Sequence, residues 1–316
     1  MKKMSAFAPA TIANFIVGFD CLGACLESLD GKLFGDIVTF SPSTSMQIEI
    51  TGQYGDHLPP DNQDNLVAKC VEIFHGSLVK QGLPKQTFTL QLEKRLPVSS
   101  GLGSSASSIV ATLVGLNAYY EYPFSNEELL LMAGDMERLA CGEAHYDNVA
   151  PSLLGGLQLM MPQGLSQRLP HFEDWLFVLY YPGIEVSTKM AREILPDLFR
   201  LKDVVAYWQQ FSAFIHALHT QNRKLVISLL SDKLLEPHRA KLIPHYATAK
   251  ETALCHGALA FGISGSGPTC FAIADSLVGA QKISEKLTEV IQDNKRAFTK
   301  ICKISSRGAH VIEAEK

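Results

Sequence analysis

No stretch of this 316-residue chain holds the roughly 18 uninterrupted apolar residues that a membrane-crossing helix needs. Met1-Lys-Lys-Met-Ser carries two charges but no apolar segment follows it, so no secretory leader is expected. There is no Cys-x-x-Cys pair either. The seven cysteines lie far apart, at 21, 25, 70, 141, 255, 270 and 302, mostly in apolar surroundings. They read as reduced core thiols of a cytoplasmic protein, with Cys21 and Cys25 spaced to share a helix face. Basic residues do not cluster and the formal net charge is −4, which leaves no electrostatic footprint for nucleic acid or an anionic membrane. His216-x-x-His219 lacks an acidic or thiol companion, so zinc is not expected there. Repeats and low-complexity runs are absent. What remains is a globular composition, 47% hydrophobic and 19% charged, long enough for two cores.

Strands are predicted at 36–40, 46–51 and 87–93 by alternation or β-branched content. Val67, Val71, Phe74 and Leu78 mark a helix over 65–80 that stops at Gly82. Ser125-Asn-Glu-Glu128 is a capping box opening the helix that bears Glu137. Strands at 155–161 and 175–181 flank a polar, Pro-containing stretch, which sets the expected division into residues 1–165 and 166–316. The second half reads as strand, helices over 188–254, strands at 259–264 and 269–274, a helix at 277–292, then strands at 298–304 and 308–313. That order is a split βαβ, ferredoxin-like unit.

The densest signal is Pro97-Val98-Ser99-Ser100-Gly101-Leu102-Gly103-Ser104-Ser105-Ala106-Ser107. It joins a predicted strand to a helix over 105–119. Small residues at a helix N-terminus leave N–H groups and the positive dipole end open to an anion. A P-loop is excluded because the loop has no lysine. Gly101-x-Gly103-x-x-Ala106 fits a relaxed dinucleotide fingerprint, but the nearest acidic residue, Glu121, lies at a helix end rather than closing a second strand. A serine-hydrolase elbow fails at Gly262-Ile-Ser264-Gly-Ser266. A mere tight connection needs fewer such residues.

Two further segments are Ala8-Pro-Ala-Thr-Ile-Ala-Asn14-Phe-Ile-Val-Gly18-Phe-Asp20-Cys-Leu-Gly23 and Phe261-Gly-Ile-Ser-Gly-Ser-Gly-Pro-Thr269. Together with the loop they resemble the three signature motifs of the GHMP kinases, a family of small-molecule kinases. Gly142-Glu-Ala-His145-Tyr-Asp147-Asn148-Val-Ala-Pro151, Val186 to Pro196 and Glu236 to Pro244 are similar to segments of its homoserine kinase branch. The resemblance runs nearly the whole length, in the family's order. It implies an α+β, two-domain fold: an N-terminal domain like domain 2 of ribosomal protein S5, with a left-handed crossover, and a C-terminal ferredoxin-like domain. It also implies ATP-dependent phosphorylation of the L-homoserine hydroxyl, in a homodimer.

Phosphoryl transfer needs phosphate oxygens held, Mg²⁺ bridging them and an acceptor hydroxyl in line. Residues 97–107, with Asn65, match the family's ATP-binding positions. Ser105 and Glu137 match its magnesium ligands, a small protein share that suits Mg²⁺ on phosphate. Arg192 and Arg239 match the residues that read a carboxylate, for which the guanidinium fork is suited. Asp20 is expected to hold the ammonium, with Asn14, His145 and Asn148 at the hydroxyl end. Taken singly, Asn14 reads as a turn residue, Asp20 as a helix cap, His145 as a core histidine and Glu137 as a solvated helix glutamate. Counting back from Gly155-Gly156 puts Asn148, with Asp147 beside it, where other members carry a basic aspartate. An asparagine cannot take the proton, so positioning and charge stabilisation are expected to carry the rate. His245 departs from the glycine common after Leu-Ile-Pro in related sequences. Rival readings are a GHMP kinase for another small alcohol, a non-catalytic ligand-binding relative and a dinucleotide oxidoreductase.

Overall fold

The computed structural model describes residues 3–58, 65–142, 144–291 and 294–312. The chain starts with β1 (Met4–Pro9), β2 (Thr11–Ala13), β3 (Leu22–Ser28), β4 (Gly35–Pro42) and β5 (Gln47–Thr51). Helix α1 (Leu66–Lys80), β6 (Phe88–Glu93) and three helices follow: α2 (Ser104–Tyr119), α3 (Asn126–Cys141) and α4 (Tyr146–Leu154). Next come β7 (Leu157–Met160), β8 (Ser166–Leu169), β9 (Leu176–Tyr181), α5 (Thr188–Glu193), α6 (Leu201–His219), α7 (Arg223–Leu229), α8 (Glu236–Arg239) and α9 (Tyr246–Cys255). The chain closes with β10 (Ala260–Ile263), β11 (Cys270–Ala274), α10 (Leu277–Val290), β12 (Phe298–Ile304) and β13 (His310–Ile312). Residues 292 and 313, the expected ends of two elements, lie outside the described residues.

The first sheet runs β13-β1-β4-β6-β5. Only its β5–β6 pair is parallel, and α1 supplies the crossover between them. Helices α1 to α4 cover one face, burying Phe40, Phe74, Phe88, Leu113 and Leu116. Helix α2 is nearly all small or apolar and buried on every side, which makes it the central helix of this half. Helix α3 starts at Ser125 with the expected capping box in both directions.

In the second sheet β9 to β12 stand in the order β10-β11-β9-β12, the ferredoxin-like arrangement expected from the element order. The sheet continues through β12 into β3, β7 and β8, with β2 paired to β3. One face buries Phe15, Phe177, Phe214 and Phe271 beneath α6 and α7. The other packs Tyr180, Ala249, Ile283 and Leu287 against α9 and α10. Segments from both sides of residue 165 share each sheet: β13 lies in the first, and β3 and β7 in the second. Strands β1 to β3 are buried almost throughout, so no polar–apolar alternation marks them. Cys25 lies on β3 and Cys21 in the turn before it, so the helix face proposed for the two does not exist. Cys21, Cys25, Cys70, Cys255, Cys270 and Cys302 are free thiols.

Candidate active site

After β2 the chain makes a left-handed turn at Asn14, Phe15 and Ile16, with φ of 70°, 43° and 66°, and Asp20 follows at 57°. Such a run costs on the order of 1–2 kcal/mol per residue. Burial of Phe15, Ile16 and Val17 in the second core offsets it. Asn14 braces the turn. Its Oδ1 accepts from the Asp20 N–H at 3.0 Å and its Nδ2 donates to the Gly265 carbonyl at 3.1 Å. One amide hydrogen is then left for a ligand.

The three motifs meet here. Thr11 N–H donates to Leu102 O at 3.1 Å, Thr269 N–H to Ser100 O at 3.1 Å and Gly265 N–H to Ala13 O at 3.2 Å. Ser264 Oγ donates to Gly101 O at 2.5 Å. Gly101 and Gly103 are required by this junction as well as by their φ of 79° and 65°. A Cβ on Gly101 would stand 2.4 Å from Ser264 O, and one on Gly103 2.1 Å from Thr11 Oγ1. The glycines thus admit the neighbouring motifs, a constraint beyond the phosphate approach read from the sequence. No side chain caps α2, so its first N–H groups face the loop for an anion.

Beneath the loop lies a buried pair that the motifs did not reveal. Lys94 Nζ donates to Asp36 Oδ2, to Ser104 O at 2.7 Å and to Ser108 Oγ at 3.0 Å. Asp36 Oδ1 accepts from the N–H groups of Arg95 and Leu96 at 2.8 and 3.1 Å. Burial pushes the Lys94 ammonium pKa down, and the Asp36 carboxylate opposes it. The only sequence signal is a lysine just after a strand, three residues before Pro97.

Ser105 Oγ donates to Glu137 Oε1 at 3.1 Å, bringing together the two expected metal ligands from α2 and α3. Glu137 is 6% exposed, which replaces the picture of a solvated helix glutamate. No group of three or more metal-ligating side chains occurs among the described residues. A two-oxygen donor set nonetheless fits Mg²⁺, which keeps water and phosphate for its other positions. Asn65 caps α1 through Oδ1, accepting from Val67 N–H at 2.9 Å, while its Nδ2 is buried without a partner.

Residues 146–154 form helix α4, with His145 at its N-cap and Asp147 and Asn148 in its first turn. Asn148 Oδ1 accepts from Thr11 Oγ1 at 2.7 Å, and its Nδ2 stands 3.5 Å from Asp147 Oδ1. Thr11, unmarked by sequence reasoning, fixes which way that amide points. Asp147 is buried, and burial pushes its carboxyl up to about 7, helped by the charges of Asp20 and Glu137 and opposed by Arg192.

Arg192, on α5, donates through one nitrogen, Nη2, to Asp20 Oδ1 and Oδ2 at 2.9 and 3.0 Å, and lies 3.2 Å from His145 Nδ1. Asp20 is therefore paired with an arginine, and it caps no helix among the described elements. Arg239 is 4% exposed and its Nε is buried without a partner. Burial lowers its pKa, against the attraction of Asp232, Asp20 and Asp147. Asn14, Ile16, Asp232, Glu236, Arg239 and Ile263 line a small cavity of about 10 Å³, room for one water. His245 has φ of 57°, the left-handed conformation for which glycine is the ordinary choice. Ser100, Ser104 and Ser107 are buried under the loop, with Ser107 Oγ donating to Ala8 O at 2.7 Å.

The family model of the GHMP kinases N terminal domain matches residues 65–156, and that of the GHMP kinases C terminal domain residues 214–293. Homoserine kinase from Cytophaga hutchinsonii superposes with a TM-score of 0.88 at 34% identity, covering 99% of this chain and 98% of that one. L. major mevalonate kinase, at 18% identity, gives 0.70 over 96% of each chain. Phosphomevalonate kinase from Streptococcus pneumoniae, at 14%, gives 0.72 over 99% of each. The last two speak for the fold alone. Three converging motifs, a ferredoxin-like second sheet and these matches lead to one conclusion: the chain belongs to the GHMP kinases, small-molecule kinases that use ATP as phosphate donor.

Proposed function

We propose that this protein is a homoserine kinase, transferring the γ-phosphoryl group of ATP to the side-chain hydroxyl of L-homoserine with release of ADP and O-phospho-L-homoserine, a step toward threonine. The observation that carries the reading is the charge pattern of the acceptor pocket. Arg192 and Asp20 present opposite charges in contact, with Arg239 buried nearby. A zwitterion can replace each half of that pair with one of its own groups. Mevalonate and galactose offer no cation for Asp20. The 34% identity to the Cytophaga hutchinsonii homoserine kinase supports the same choice.

In this reading the loop 97–103 and the α2 N-terminus hold phosphate oxygens, and Asn65 Nδ2 offers a further donor. Ser105 and Glu137 would hold Mg²⁺, whose contribution is to neutralise phosphate charge. Asn148, aimed by Thr11, would orient the acceptor hydroxyl, and His145 would close that end. Asn148 cannot serve as a base, so in-line placement and electrostatics carry the rate. Free thiols at Cys21, Cys25, Cys70, Cys255, Cys270 and Cys302 suit a reducing cytoplasm. The homodimer is carried forward as part of the proposal, to be settled by analytical ultracentrifugation. The functional test is an ADP-release assay across homoserine, mevalonate, galactose and shikimate. Homoserine should be turned over at least 100-fold more efficiently than the others, an order typical of a site left with an unpaired polar group by the wrong ligand. Preference for mevalonate or galactose would refute the reading.

A further inference from the structure

Phe19 stands between Gly18 and Asp20 in the first motif. Two guanidinium groups lie over its ring. Cζ of Arg192, on α5, is 5.5 Å from the ring centroid, and Cζ of Arg239, on α8, is 5.3 Å away. The backbone holds the ring in place. Phe19 N–H donates to the Tyr207 hydroxyl on α6 at 2.9 Å, and the next N–H, of Asp20, donates to Asn14 Oδ1.

We propose that Phe19 is a specificity-determining positioning residue: one aromatic platform that supports both guanidinium groups and keeps them poised for the acceptor's carboxylate. The inference rests on the reading of Arg192 and Arg239 as carboxylate readers. Arg239 has lost almost all contact with water, and two cations brought to one small pocket repel each other. A ring face carries negative quadrupole charge and attracts each cation without occupying an N–H group, because those donors lie in the guanidinium plane. A carboxylate in the same place would stabilise the charges but take up the fork. The Nε atoms of both arginines are buried without hydrogen-bond partners, so donor capacity is present on each group that the ring supports. Leucine at this position would fill space and supply no such field.

The test replaces Phe19 in the full-length protein by mono-, di- and trifluorophenylalanine, which weaken the quadrupole at nearly constant shape. Calorimetric titration with L-homoserine should show Kd rising stepwise, about tenfold over the series. Turnover at saturating homoserine and KM for ATP should stay within about twofold of the parent, a split that follows if ground state and transition state lose the same binding. Phe19→Tyr should retain parental binding, while Phe19→Leu should lose about tenfold. If the unmodified protein binds homoserine and the fluorinated series is flat, the proposal for Phe19 is overturned and the functional reading stands. If the unmodified protein does not bind homoserine, both are overturned. A series in which kcat falls while Kd is constant also overturns it, because the ring would then act on the transfer step rather than on carboxylate binding.

Discussion

Asp147→Asn separates two roles that a buried carboxyl beside Asn148 can have. Its carboxyl is raised from 3.8 to about 7, chiefly by burial, then by the charges of Asp20 and Glu137. The sign of the consequence follows from proton counting. Between the unfolded value near 4 and the native value near 7, the native state keeps a proton that the unfolded chain has lost. Stability from this group is therefore lost as pH rises through that window, and levels off above it. A difference of about 3 units at about 1.36 kcal/mol each gives at most about 4 kcal/mol. Asparagine cannot ionise and abolishes that slope. In urea unfolding at pH 8 the variant should be more stable than the parent by roughly 2–4 kcal/mol, while at pH 4 the two should agree within about 1 kcal/mol. The same protein tests the chemistry. Loss of a true base costs about 10²–10⁴-fold, and kcat here should fall by less than the lower figure. Parallel stability curves at all pH values would refute the electrostatic reasoning. A fall in kcat near the upper figure, with homoserine binding intact, would make Asp147 the base.

Other perturbations read other parts of the site. Asp20→Asn should weaken homoserine by about 10–100-fold through loss of a charged hydrogen bond. The same change frees Arg192 from a pair about one-third exposed on each side, so 4-hydroxybutyrate, which lacks an ammonium, should bind about 2–5-fold more tightly, as befits a solvent-screened pair. Equal losses for both compounds in calorimetry would show that Asp20 does not read the ammonium. Glu137→Gln keeps the shape beside Ser105 and removes the charge. It should fold normally yet lose several kcal/mol of transition-state stabilisation, about 10³-fold in kcat; near-parental kcat at limiting magnesium would remove Glu137 from the metal site. His245→Gly should raise stability by about 0.5–1 kcal/mol in thermal unfolding, because glycine accepts the left-handed backbone that histidine adopts under strain. A loss of stability would mean that the exposed imidazole makes a contact worth more than the strain.

Much of this architecture was legible from local patterns, and the exceptions have physical causes. The capping box at Ser125 and the period-2 run at 88–92 depend on neighbours in sequence, so they could be read directly. Strands β1 to β3 lie buried on both faces and lack periodicity. Helix α4 was missed because its first turn carries Tyr146, Asp147 and Asn148 and its interior holds Pro151, all weak helix signals. The family resemblance pairs Ser105 with Glu137, and the structure brings the two side chains into contact. Thr11, Lys94, Asp36 and Phe19 act through partners between 10 and 220 positions away, and no spacing rule reaches that far. The pairing of Arg192 with Asp20 is equally invisible in the sequence, because the two residues stand 172 positions apart.

The strand exchange between the sheets has a consequence for timing on the ribosome. Strand β1 finds β4 within a few dozen residues, but its other edge stays unpaired until β13, at 310–312, emerges. At synthesis rates of about 5–20 residues per second, some 300 residues correspond to roughly 15–60 s. Throughout that interval a largely apolar strand edge is open to other nascent chains. Residues 310–312 thus act as a late closing seam, and their delay sets how long the growing chain is exposed to misassociation.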